Sequence, residues 1–154
     1  MTSMPAQHAA GARQDYCTPT DLLSAVETTF GEITHDLACD ADNRVASSCY
    51  TVEDDALAQD WTTLKGVLWC NPPFRRIGPW AQKCAESSGP ERLILLLTPA
   101  SVGSRWFADH VHEHALVLAL TPRITFVGAL APYPKDCILS VYGAGVGFDV
   151  WRWR

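Results

Sequence analysis

Val67-Leu68-Trp69-Cys70-Asn71-Pro72-Pro73-Phe74 is the stretch on which the fold turns. Its first four residues are apolar throughout, the mark of a strand buried on both faces, and such strands belong to parallel sheets covered by helices. Two prolines then end the strand abruptly, because proline has no N–H to give to a neighbouring ladder. Asn71 and Phe74 are thereby placed at a strand's carboxyl end, where open α/β sheets bind their ligands.

Upstream, Thr18-Pro19-Thr20-Asp21 predicts a helix start, with Thr18 as the cap, Pro19 in the first helical position and Asp21 in a capping box. Leu22, Leu23, Val26 and Phe30 share one face of that helix, and Gly31 stops it. Ile33 to Cys39 predicts a short strand around Asp36, running into a polar loop or brief helix over Asp40 to Ser48. Downstream, Gly78-Pro79-Trp80 opens a helix that ends near Gly89-Pro90, and Arg92 to Thr98 holds five consecutive aliphatics, a second doubly buried strand. Ser104 caps a helix bearing Trp106, Phe107 and Val111, and Ala115 to Leu120 is a further strand. Short strands near Ile124 to Phe126, Ile138 to Tyr142 and Phe148 to Trp151 complete the pattern. The class is α/β, a mostly parallel sheet with helices on both faces and antiparallel C-terminal strands.

A chain of 154 residues that is 47% hydrophobic fits one compact domain, residues 15–154, behind a flexible tail, residues 1–14. The formal net charge of -5 excludes a protein that coats nucleic acid nonspecifically, which requires a dense positive face. Any contact with nucleic acid must be local. The first residues lack the basic and apolar segments of a signal peptide, and Leu93 to Leu97 is too short to span a bilayer, so a cytoplasmic protein without a membrane partner is expected. The six cysteines are widely and irregularly spaced with no C-x-x-C pair, which predicts reduced, mostly buried thiols rather than a disulfide or zinc framework. His110, His112 and His114 read as a solvated face, and no metal is expected.

The chemistry lies in Asn71-Pro72-Pro73-Phe74. The prolines fix the backbone and direct the Pro72 carbonyl to accept a hydrogen bond from outside the turn, while the Asn71 amide oxygen converges on the same point. Such a pair of acceptors suits a planar amine that must give up its conjugation to become a nucleophile. Holding its hydrogens favours a pyramidal nitrogen and stabilises the positive charge that grows as it attacks a methyl group. Phe74 adds a flat face on which an extruded base can stack, worth roughly 1 to 3 kcal/mol.

Asn-Pro-Pro-Phe after an apolar strand resembles the catalytic motif of amino methyltransferases. With Asp15-Tyr16-Cys17-Thr18-Pro19, Asp36-Leu37-Ala38 followed by Asp42-Asn43, and Glu53 to Trp61, it is similar to the phage DNA N6-adenine methyltransferase (Dam) family over roughly Asp15 to Phe126. The resemblance implies a compact, abbreviated Rossmann-like methyltransferase that uses S-adenosyl-L-methionine to methylate the N6 amine of adenine in DNA, in the host cytoplasm if phage-encoded. It implies catalytic roles for Asn71, Pro72, Pro73 and Phe74. It also implies that Thr18 and Pro19 contact the methionine part of the cofactor, that Asp36, with Ala38, lies beside its amino group or ribose, and that Asp55 bonds its adenine amine. A cofactor suits acidic residues, because its ammonium, hydroxyl and amine groups all donate.

Two features leave alternatives open. There is no glycine between Gly31 and Gly66, and Ala38 to Tyr50 is too short for the usual helix, strand and helix. Either Asp36 ends the first strand and the middle unit is abbreviated, or it is the ribose ligand and an earlier strand is missing. The Asn71 chemistry is also compatible with methylation of cytosine N4, an RNA base or a protein glutamine, and a noncatalytic nucleic-acid-binding module is the reading outside enzymes. Positive charge gathers at Arg75 and Arg76, with Arg105, Arg123 and Lys135 in later loops, as candidate DNA contacts. Trp151-Arg152-Trp153-Arg154 either stacks on nucleic acid or is a last strand whose tryptophans pack on the domain. A monomer or a homodimer satisfies these features.

Overall fold

The apolar runs become neighbouring strands of one six-stranded sheet. The structure is a computed structural model that describes residues 17–40 and 42–154; the expected tail over 1–14, with Asp15 and Tyr16, lies outside the described residues. The elements in chain order are α1 (Thr20–Phe30), β1 (Ile33–Asp36), β2 (Gly66–Cys70), α2 (Ile77–Ser87), β3 (Arg92–Pro99), α3 (Arg105–His110), β4 (Leu116–Thr121), β5 (Cys137–Tyr142) and β6 (Gly147–Arg152). Three short 3-10 turns, Val52–Asp54, Ala56–Ala58 and Trp61–Thr63, fill the approach to β2.

The sheet order is β1-β2-β3-β5-β4-β6. β1, β2 and β3 run parallel, β5 is antiparallel to both β3 and β4, and β6 lies parallel to β4. The sheet is mostly parallel with an antiparallel strand toward the C-terminus, β5, as expected, while β6 departs from that expectation by running parallel to β4.

Alternation along the central strands explains why they are apolar on both faces. Val67, Trp69, Leu95 and Leu97 point into the core shared with Leu22 and Val26 of α1. Leu68, Cys70, Ile94 and Leu96 point the other way, against Ile77, Ala81 and Cys84 of α2. Burial of each such aliphatic side chain contributes roughly 1.5 to 3 kcal/mol. Arg92, at the start of β3, donates to the carbonyls of Leu64, Ser87 and Thr62 at 2.9, 3.0 and 2.8 Å, tying the 3-10 segment and the end of α2 to the sheet.

Several local expectations are corrected. Pro19, not Thr18, is the N-cap of α1, and Asp21 forms no capping box: it accepts from the Leu22 N–H at 2.9 Å and pairs with Arg154. Ile124 to Phe126 is not a strand but part of the loop between β4 and β5. Its apolar residues are there because Ile124 and Phe126 are buried in the α1-side core, not because they pair with a neighbour. Cys39 and Cys49 are joined in a disulfide, against the expectation of thiols throughout; a parallel bridge between Asp36 and Cys49, and the Cys39 N–H bond to the Tyr50 carbonyl at 3.0 Å, bring the two together. Cys70, Cys84 and Cys137 are free and buried as expected, and Cys17 is free and half-buried. At the C-terminus the tryptophans pack on the domain: Trp151 meets the edge of Phe30, and the Trp153 indole donates to the Pro122 carbonyl at 2.8 Å.

Candidate active site

β1 and β2 are adjacent and parallel, so their carboxyl ends, Asp36 and Cys70, open on the same edge of the sheet. A cavity of about 760 Å³ lies there. It is within the range of small-molecule sites. Of the residues singled out from the sequence, Thr18, Asp36, Ala38, Asp55, Asn71, Pro73 and Arg75 line it together. Pro19, Pro72, Phe74 and Arg76 sit beside it without lining it, and Arg105, Arg123 and Lys135 stand in later segments.

Asn71 is the pivot. It follows β2 directly, and its Nδ2 donates to the Thr18 hydroxyl at 3.2 Å, joining two motifs 53 residues apart in the chain. That bond orients the amide so that its oxygen and its nitrogen face different partners. Pro72 is buried and Pro73 exposed, and the Arg76 N–H closes the turn on the Pro73 carbonyl at 3.3 Å.

Phe74 is half-buried in a three-ring cluster. Its ring centroid is 6.4 Å from that of Phe126 and 5.9 Å from that of Tyr133, each edge-on, and Phe126 and Tyr133 are 5.6 Å apart. The β4–β5 loop thus holds the end of the Asn-Pro-Pro-Phe turn, a support that nothing in the sequence spacing announced.

Asp36 is buried and its carboxylate accepts from the Ala38 N–H at 3.2 Å and the Val45 N–H at 3.1 Å. Burial raises its pKa, and those two backbone donors oppose the rise. Its first function is therefore to fold the segment after β1 back over the cavity, with the Asp36 N–H given to the Ser48 carbonyl and the Asp36 carbonyl accepting from Tyr50.

The acidic segment sorts itself by local bonding. Asp54 accepts from the Thr51 N–H and hydroxyl at 2.7 and 3.0 Å, and these bonds lower its pKa. Asp60 accepts from the Thr62 hydroxyl and N–H at 2.6 and 3.0 Å, with the same effect. Both are occupied with capping turns. Asp55 between them takes the left-handed backbone conformation, φ 51°, which aspartate tolerates better than most residues, and it lines the cavity. Tyr50, Trp80, Leu23, Arg44 and Val127 also line the cavity. Trp80 is half-buried and tilted against Trp61, whose indole donates to the Ala56 carbonyl at 2.9 Å.

The candidate DNA contacts differ in availability. Arg75 and Arg76 are exposed next to the turn, and Arg105 is exposed at the first position of α3. Arg123 is paired with Asp136 at 2.9 Å and braces the β4–β5 loop, while Lys135 is exposed at that loop's foot. Among the described residues, no cluster of three or more histidine, cysteine, aspartate or glutamate side chains is arranged to hold a metal, and no helix is long and apolar enough to cross a membrane.

The chain is 34% identical over 84 residues to "Putative methyltransferase YfdM" of Escherichia coli (strain K12), covering 52% of this chain and 88% of that protein. It is 26% identical over 113 residues to the DNA N-6-adenine-methyltransferase of Escherichia phage T1, covering 73% of this chain but only 47% of the phage protein. Residues 6–136 match a family that takes in every site residue named above, and the chain belongs to that family, DNA N-6-adenine-methyltransferase (Dam).

Proposed function

We propose that the cavity binds S-adenosyl-L-methionine and that the Asn71–Phe74 turn presents the N6 amine of an adenine in DNA to it. The observation that carries this reading is that Asn71, bonded to Thr18, shares one cavity with Asp36 and Asp55.

The donor set fits the cofactor. Asp36 and Asp55, with Asp40 and Asp42 on the same wall, offer acceptors to its ammonium, ribose hydroxyls and adenine amine, and Arg44 is a cation available to its carboxylate. Asp55 is the residue we assign to the adenine amine, and Thr18 with Pro19 to the methionine end. When bound, the cofactor supplies an electrophilic methyl group on a sulfonium. The chain's residues then act on the amine: the Asn71 oxygen and the Pro72 carbonyl accept its hydrogens, localise its lone pair and stabilise the charge that develops on nitrogen. Phe74, fixed by Phe126 and Tyr133, gives the base a wall to stack on.

The strand order supports an abbreviated Rossmann-like reading. In the six-stranded dinucleotide fold, strands run 3-2-1-4-5-6 and ligands bind at the switch point between strands 1 and 4. β1, β2 and β3 correspond to strands 1, 4 and 5, and the isolated parallel bridge between Asp36 and Cys49 is what stands in place of strand 2. On this correspondence Asp36 ends the first strand and the middle unit is the shortened one.

Two variants test the division of labour. Asn71→Ala should retain cofactor affinity and lose about 100-fold or more in turnover, because its contribution is made in the transition state. Asp55→Ala should weaken cofactor binding by about tenfold or more. Calorimetric titration with the cofactor and single-turnover methyl transfer separate these effects; an unchanged rate in Asn71→Ala, or an unchanged dissociation constant in Asp55→Ala, removes the corresponding role.

A further inference from the structure

We propose that the loop between β4 and β5 inserts into duplex DNA beside the target base, with Leu130 as the wedge that fills the place of the extruded adenine. This rests on the reading of the site as a DNA methyltransferase and names the part that opens the duplex.

Leu130 has 105% relative exposure, the most complete of any large apolar side chain among the described residues, and Val127 in the same loop is 58% exposed. From Val127 to Pro132 the loop carries no charge, in a chain of net charge -5. Phosphates are therefore not repelled there. Gly128 takes φ +85° with open space around it, which lets the chain reverse at the tip.

The feet of the loop, by contrast, are fixed. Tyr133 N–H donates to the Ile124 carbonyl at 2.7 Å, Ala129 N–H to Phe126 at 3.0 Å and Val127 N–H to Cys17 at 3.1 Å, while Arg123 and Asp136 close the base. Two of those feet, Phe126 and Tyr133, are the rings that hold Phe74, and Val127 itself lines the cavity. Leu130 thus lies three residues beyond the cavity-lining Val127, on the exposed part of a loop whose feet border the site. Arg75, Arg76 and Lys135, all exposed, supply the positive rim that a duplex requires around such a contact.

The energetics call for a wedge. Extruding a paired base costs a few kcal/mol of stacking and pairing, and apolar side chains inserted between base steps are a known means of offsetting it. That cost is smaller in a single strand, which has no base pair to break.

Single-turnover methyl transfer to unmethylated duplex DNA and to the same DNA heat-denatured tests the wedge, together with the linking number of closed-circular DNA relaxed by a topoisomerase in the presence of the protein. Leu130→Ala should lose about tenfold or more on duplex and less than about twofold on denatured DNA, and should abolish the linking-number shift that the wild type produces, whereas Leu130→Phe should keep both. A Leu130→Ala variant that methylates duplex normally, or unwinds circles as the wild type does, overturns the wedge while leaving the methyltransferase reading intact. A wild type that methylates neither form of DNA overturns that reading, and the wedge with it.

Discussion

At the scale of single residues, Asp36 carries two duties, lining the cavity and holding the Ala38 and Val45 amides, from a buried position that disfavours its charge. Because its folded-state pKa is raised above the ordinary 3.8, its contribution to stability is complete while it is protonated and is lost as pH rises through the raised value. Asp36→Asn, which is uncharged throughout, should therefore gain stability relative to the wild type between about pH 4 and pH 7. Denaturant unfolding at the two pH values checks this, and a difference that moves the other way contradicts the burial of a charged carboxylate. Asn71 and Phe74 were legible from sequence because two prolines after an apolar strand leave little choice of position. Only the family resemblance singles out Asp55 from Asp54 and Asp60; the residues alone do not, because their local roles depend on which of them Thr51 and Thr62 engage and on the left-handed turn at Asp55.

At the scale of elements, the segment from Asp36 to Tyr50 replaces what would be a helix and a strand with a loop closed by the Cys39–Cys49 disulfide. Cys39 lines the cavity, so the bridge restrains part of the cavity wall. A loop of this length, 10 residues of separation, gains about 3 kcal/mol from the bridge on the chain-entropy account. Cys39→Ser with Cys49→Ser should accordingly lower the unfolding midpoint and weaken cofactor binding, with turnover at saturating cofactor little changed. A double variant as stable as the wild type, measured without reductant, contradicts the bridge. The bridge was hidden in the sequence because its geometry comes from a single β-bridge to Asp36, which spacing alone does not reveal. The misread strand at Ile124 to Phe126 has a related cause: apolar periodicity reports burial, and a loop anchored in the core buries its residues as a strand does. The strands β2 and β3 were read correctly because a run without polar residues admits no other placement.

For the whole molecule, the net charge of -5 and the few exposed cations near the site leave few positive groups there for phosphate contacts. If Arg75, Arg76 and Lys135 supply the phosphate contacts, the logarithm of the binding constant should fall with the logarithm of salt concentration at a slope of about -3. Titration of fluorescent duplex at several salt concentrations checks this, and a slope of about -6 or steeper contradicts it by requiring charges the site does not present. The class and the parallel half of the sheet were readable from the chain because both follow from local apolar runs. The placement of β6 parallel to β4 was not, since strand order is settled by long-range packing that no local pattern encodes. The central claim, methyl transfer to adenine N6 in DNA by the Asn71 turn, is tested most directly by incubating the protein with labelled S-adenosyl-L-methionine and unmethylated duplex DNA, then digesting to nucleosides and identifying the labelled one by mass. The account predicts label in N6-methyldeoxyadenosine from the wild type and almost none from Asn71→Ala; label in another nucleoside, or none despite cofactor binding, would contradict it.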